Sequence, residues 1–185
     1  MNKTFRSLFV TATLVVVPSF AMAESHGKVP MCGANTGEAA TGAPIKIGGI
    51  YGNAAPGDFS SATDAAGAYF DCVNANGGID GRPIEYIVEN DQWNPELAAQ
   101  AATKLIQDQN VVAMVGNGSF VEMSVNAPRY AEANIMAMAS ACAVSECFES
   151  SNIVSTNQGP LPSSIGAAMY AVETLGATNV SCIGL

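Results

Sequence analysis

The sequence predicts an α/β architecture: an open parallel sheet with helices on both faces. Three features carry this expectation. Short apolar segments alternate along the chain with segments of helical periodicity. The apolar segments lack the polar alternation of a half-exposed strand, as in sheets buried on both sides. A helix-length connection separates each apolar segment from the next, so parallel pairing through crossovers is the expected topology.

The elements follow in order. Ile45–Ile50 is a short apolar strand. From about Phe59 to Asn76 the chain reads as a helix with Ala62, Ala65, Ala66, Tyr69, Phe70 and Val73 on one face. Gly77-Gly78 ends it, since glycine takes the positive φ of a helix C-cap at little cost. Asp80-Gly81 makes a turn, and Pro83–Glu89 is the second strand. Asn94 is placed to cap the next helix, with Pro95 at its first position and Leu97, Ala101, Leu105 and Ile106 along it. Val111–Val115 is a strand, Val121–Ala133 a helix and Ile135–Ala139 a strand; Pro128 blurs where that third helix starts. Pro160–Leu175 reads as a helix and Val180–Leu185 as a strand that runs into the last residue. A strand interrupted there reads as a chain cut within a longer α/β structure.

The ends and the charge set the compartment. Lys3 and Arg6, the apolar run Leu8–Val17 and Ala21-Met22-Ala23 form a secretory signal, residues 1–23, cleaved after Ala23. Glu24 stands where a lipoprotein would have cysteine. Residues 24–44, rich in Gly, Ala, Thr and Pro, read as a flexible lead-in. The 185-residue chain has a formal net charge of −9, and losing Lys3 and Arg6 makes it more negative by two. Such a surface repels phosphate backbones, so nucleic-acid binding is not expected. Five cysteines in an exported chain suggest disulfides with one thiol left over. Cys142 and Cys147, in one loop after a strand, form the first candidate pair. Cys32 with Cys72 is the second, and Cys182 remains as a buried free thiol.

The ligand side of an open α/β sheet is the carboxyl end of its strands. Here those ends are Tyr51–Phe59, Asn90–Asn94, Gly116–Phe120 and Ser140–Cys147. Gly116-Asn117-Gly118-Ser119-Phe120-Val121 has the setting of a dinucleotide fingerprint but lacks its third glycine and the downstream acid. It reads either as a plain tight turn or as a loop aiming backbone N–H groups and the Ser119 hydroxyl at an anion. Catalysis by serine needs a base, and the single histidine, His26, lies in the lead-in. Glu89 and Asp91 could face one side as a carboxylate pair, although a strand-end carboxylate more often caps a loop. Trp93 reads as a hydrophobic staple before the Asn94 cap rather than as a pocket wall, and Tyr51 also lies on a ligand-side loop. There is no phosphate-loop lysine and no Cys-x-x-Cys, so no enzyme activity, metal or cofactor is expected.

Asn74-Ala75-Asn76-Gly77-Gly78-Ile79-Asp80-Gly81-Arg82-Pro83-Ile84, then Asp91 with Asn94-Pro95-Glu96, then the apolar strand into Gly116, resemble the type I periplasmic binding proteins of ABC importers. The branch is the one serving branched-chain amino acids and amides, and Gly57-Asp58-Phe59 fits its first ligand loop. The resemblance runs from about Ile45 to Leu185. It implies two α/β lobes around a cleft: residues 45–159 as the N-terminal lobe and 160–185 as the start of the second. It also implies that the ligand's carboxylate and ammonium bind mainly to the first lobe. The contacts it implies are Phe59, Gly118, Ser119, Phe120, Ser140, Ala141 and Cys142. The implied function is that of a periplasmic receptor, a monomer, which hands a small amino-acid-like or amide solute to an ABC permease in the inner membrane. A ligand sensor of the same fold and an exported α/β enzyme are the alternatives. The sequence departs from the amino-acid binders in two places. Ser119 is followed by Phe120-Val121-Glu122 where hydroxyls are usual, and Ala141-Cys142-Ala143 stands where a threonine is common.

Overall fold

A computed structural model describes residues 32–181 apart from Pro56. The signal segment, the start of the lead-in and Cys182 lie outside the described residues. Five parallel strands make the main sheet: β1 (Ile45–Tyr51), β4 (Ile84–Asn90), β5 (Ala113–Asn117), β6 (Met136–Ala139) and β7 (Ile153–Ser155). Their spatial order is β4-β1-β5-β6-β7. A small antiparallel pair, β2 (Asn53–Ala54) and β3 (Gly57–Asp58), stands apart. The helices are α1 (Ser61–Ala75), α2 (Pro95–Thr103), α3 (Phe120–Glu132), α4 (Glu146–Glu149) and α5 (Pro160–Met169). A π-helical turn follows α2 over Lys104–Asp108, and another follows α5 over Tyr170–Thr174.

Local chemistry explains the boundaries. The Asn94 side chain accepts from the N–H groups of Glu96 (2.8 Å) and Leu97 (3.0 Å), and Pro95 takes the first helical position. After α1, Gly78 adopts φ 64° and its N–H donates to the Val73 carbonyl at 2.8 Å. The Asn74 side chain then fixes the next strand, accepting from the Ile84 N–H at 2.6 Å and donating to the Ile84 carbonyl at 2.8 Å. Asp80-Gly81 closes a turn in which Ile79 and Arg82 exchange backbone hydrogen bonds. The glycine-rich block is therefore a helix-to-strand joint. α3 begins one residue earlier than expected and runs through Pro128.

One face of the sheet is covered across β1, β5, β6 and β7. Ile50, Met114, Ala137, Ala139 and Ile153 pack there with Ala101, Ala102, Leu105, Met123, Ala127 and Tyr130 of the α2 and α3 segments, and with the Cys142–Cys147 loop. On the other face α1 covers β4, β1 and β5, where Ile47, Val73, Ile84, Tyr86 and Val115 meet. Beyond α1 the same face is open: Met136, Met138 and Val154 are about half exposed. Helices lie on both faces, as expected for this fold class, with α1 stopping short of β6 and β7 on that side. No residue of α5 is buried.

The lead-in also differs from expectation from Cys32 onward. Cys32 is buried and disulfide-bonded to Cys72 of α1, with a Cα–Cα distance of 5.9 Å. Ala40 donates to the Asn74 carbonyl and Gly42 to that of Gly81, while Arg82 donates to the carbonyls of Ala43 and Pro44. These bonds tie residues 32–44 to the lobe. β7 and the β2–β3 pair were not predicted. Of the expected last strand, Val180 and Ser181 are not in a strand, and the other residues lie outside the described ones.

Candidate functional site

The strand order places a topological switch beside β1: the chain steps from β1 to β4 on one side and then crosses to β5 on the other. A crevice forms where neighbouring connections leave in opposite directions, and ligands bind there in open α/β sheets. The Gly118 N–H donates to the Ile50 carbonyl at 2.9 Å, which stitches the β5–α3 loop to the end of β1.

A cavity of about 330 Å³ opens at this carboxyl edge, lined by Phe59, Phe120, Ala141, Cys142, Asn157 and the first turn of α5. Four of the seven residues expected to contact a ligand are thus brought together. Phe59, Phe120 and Trp93 form one aromatic cluster, with ring centroids 5.3–5.5 Å apart. Trp93 is neither a free pocket wall nor a simple staple. Its indole N–H donates to the Gly57 carbonyl at 2.9 Å and holds β3, which leads directly into Phe59. Gly52 makes room for it: a Cβ there would lie 2.6 Å from the indole ring.

The expectation for Ser119 needs correction. It is fully buried. Its hydroxyl donates to the Asp91 carboxylate at 2.5 Å and accepts from the Glu122 N–H as the N-cap of α3. Its proton is committed to Asp91 and it is not in the cavity lining, so its part in the structure is to shape the loop. Gly118 is also buried, and a Cβ on it would lie 2.8 Å from the Phe59 carbonyl. Ser140 donates to the carbonyls of Asn117 (2.9 Å) and Gly116 (3.3 Å), so it braces the same loop.

Glu89 and Asp91 do not form a pair. Glu89 bonds Lys104 at 2.6 Å near the surface. Asp91 is buried and accepts from Ser119 and from the Trp93 N–H, the loop-capping role. Burial raises its carboxyl above the usual range, against the pull of those two donors.

Cys142 and Cys147 are disulfide-bonded, with a Cα–Cα distance of 5.9 Å, and hold the loop after β6 against the core. A second hollow of about 420 Å³ lies behind this loop, lined by Val144, Phe148, Leu161 and Pro162 among others. It opens between α4 and α5 and shares Ala143, Gly159 and Pro160, on the loops after β6 and β7, with the first cavity. Four wall residues of the first cavity escaped sequence reasoning: Asn157, Gly159, Pro160 and Ser163. Gly159-Pro160 was the available signal, a turn that leads straight into a helix start.

Among the described residues no group of three His, Cys, Asp or Glu side chains could hold a metal ion. No charged side chain lines the cavity. The arrangement offers an apolar, aromatic-walled recess with a few polar groups at its rim, a setting for binding.

The chain resembles solved binding proteins in fold. A branched-chain amino acid transporter substrate binding protein from Streptococcus pneumoniae superposes with a TM-score of 0.62 at 23% identity, over 72% of this chain and 39% of its own. A solute binding protein of an ABC transporter from Rhodopseudomonas palustris gives 0.62 at 22% identity, over 71% and 36%. A leucine binding protein from Thermotoga maritima gives 0.61 at 17% identity, over 72% and 38%. The matched part is therefore less than two fifths of each of these proteins. No curated protein sequence matches at a significant level. Residues 44–185, most of the described lobe, match the periplasmic binding protein family. By that match the chain belongs to the periplasmic binding proteins, a family of solute-binding proteins and not of enzymes.

Proposed function

We propose that this chain supplies the solute-capturing N-terminal lobe of an extracytoplasmic receptor that delivers a small solute to an ABC permease. The observation that carries the reading is the cavity at the strand ends, walled by Phe59, Phe120, Ala141 and Cys142 at the switch point of the sheet. Residues 45–159 are the lobe. The helix from Pro160, with its first turn in the cavity wall and no buried residue, begins a second lobe that closes over the solute. Export with cleavage after Ala23 delivers the receptor to the periplasm, and mass spectrometry of the exported protein should find Glu24 first.

The solute we propose is small, with an apolar or planar body and one polar end, drawn from the amino-acid-like and amide class. The Streptococcus pneumoniae protein was solved with isoleucine and the Rhodopseudomonas palustris protein with 3,4-dihydroxybenzoic acid. Those two compounds and simple aliphatic amides define a thermal-shift screen of the full-length protein. A raised melting temperature with any of them supports the receptor reading. Turnover of the compound in place of stable binding would overturn it. A ligand-sensing role on the same fold would show as solute binding without any effect of deleting the gene on uptake.

A further inference from the structure

Two hollows meet at the loops after β6 and β7, and solute capture in the first leaves the second without a role. The first, of about 330 Å³, is the strand-end cavity; the second, of about 420 Å³, opens between α4 and α5. Ala143, Gly159 and Pro160 belong to the walls of both. Gly159 puts no side chain between them, and its φ of 80° lies in the region that favours glycine. A Cβ on it would lie 2.7 Å from the Phe148 ring, so a residue without one is what lets Phe148 wall the second hollow so closely.

The second hollow presents apolar atoms. Val144, Phe148, Leu161 and Pro162 line it beside the shared residues, and none of its lining residues is charged. Its two polar side chains are engaged elsewhere. The Ser145 hydroxyl donates to the Glu146 carboxylate at 3.2 Å, and the Gln158 amide donates to the Ser163 hydroxyl at 3.2 Å. Ser163 in turn donates to the Gly159 carbonyl at 2.7 Å, which fixes the first turn of α5 as one wall. The other wall is α4, which carries Phe148 and is tied through Cys147 to Cys142, a residue of the strand-end cavity. Phe148 is 50% exposed and Leu161 70%. Large apolar side chains left open on the walls of a concave site gain free energy when an apolar group covers them.

We propose that the α4–α5 hollow is a second subsite of the solute site, taking an uncharged aromatic tail of a solute whose polar end lies in the strand-end cavity. This deepens the receptor reading above and rests on it. Three features name the occupant. The shared wall residues let one small molecule span both hollows. The lack of lining charge disfavours a charged tail, because burying an unpaired charge is costly. The ring of Phe148 and those of Pro160 and Pro162 present flat faces, which suit an aryl group. Phe148 and Leu161 are then specificity-determining residues, setting the preference for a ring-bearing solute over its truncated counterpart.

The test uses the full-length protein. Benzene alone is titrated first, with the methyl groups of Val144 and Leu161 followed by NMR. Saturable ring-current shifts are expected at both residues, and Leu161→Trp, a change at an exposed position that fills the hollow, should abolish the response of Val144. Methyls that ignore benzene, or a Val144 response unchanged by Leu161→Trp, would overturn the proposal. Calorimetry then compares alanine with phenylalanine and butanamide with 4-phenylbutanamide. In at least one pair the ring-bearing member should bind about tenfold more tightly. Leu161→Trp and Phe148→Ala should each bring that ratio close to one, whereas Phe59→Ala should weaken both members of the pair. Pairs that bind without preference for the ring, or a ratio that survives both hollow variants, overturn the tail subsite and leave the receptor reading standing. Benzene in the hollow with no binding of either pair keeps the aromatic subsite and refutes the solute class proposed above.

Discussion

Ser119 is a fully buried hydroxyl that organises the loop between β5 and α3. It caps α3 and answers a buried carboxylate. Ser119→Ala removes both bonds. Losing an N-cap costs about 1 kcal/mol, and stranding part of the Asp91 carboxylate adds roughly 1–3 kcal/mol. Chemical denaturation should therefore show a loss of about 2 kcal/mol or more, with solute affinity reduced only through the loosened loop. Gly52→Ala acts on the same neighbourhood by crowding. Its Cβ would meet the Trp93 ring at 2.6 Å, and overpacking of this kind costs roughly 1–3 kcal/mol. Displacement of Trp93 should also shift its fluorescence, which a Trp93→Phe control identifies. The sequence showed where the ligand-side loops lie, because strand ends follow from the alternation of elements. It could not show which side chains in those loops point outward. A serine after Gly-x-Gly fits an anion loop and a helix cap equally well, and only the position of Asp91, 28 residues earlier, separates them.

At the scale of elements, the two disulfides differ in what they constrain. Cys32–Cys72 closes a separation of 40 residues and Cys142–Cys147 one of 5. On the chain-entropy view the longer closure contributes roughly 4 kcal/mol and the shorter about 2 kcal/mol. Replacing Cys32 and Cys72 by alanine should lower global stability more than replacing Cys142 and Cys147. The second replacement should have the larger effect on solute binding, because Cys142 lines the cavity. Unfolding curves and calorimetry on the two double variants check both halves of the statement. Most elements were legible from the sequence, and their caps account for it: Asn94-Pro95 and the Gly77-Gly78 stop carry their structure in local chemistry. β7 escaped because its three residues, Ile153–Ser155, are too short for a period and depend on pairing with β6. The lead-in escaped for a similar reason. Its composition is that of a loose segment, and its order comes from partners 30 to 40 residues away.

For the whole molecule, the open half of the sheet and the unburied α5 carry the main consequence. Met136, Met138 and Val154 lie on one face, and Leu161, Ile165, Met169 and Tyr170 are more than half exposed. Exposed apolar side chains in this number mark an interaction site or an aggregation hazard when they adjoin. The 185-residue chain expressed alone should bind a hydrophobic dye strongly and capture solute more weakly than the full-length protein. The central claim, that the strand-end cavity is where solute is held, is tested most directly by calorimetry. The solute that gives the largest thermal shift would be titrated into full-length wild type, Phe59→Ala and Phe120→Ala. Burying an aromatic side chain against a ligand is worth roughly 1.5–3 kcal/mol, so each variant should bind about tenfold or more weakly. An affinity unchanged in both variants would place the solute elsewhere and contradict the account.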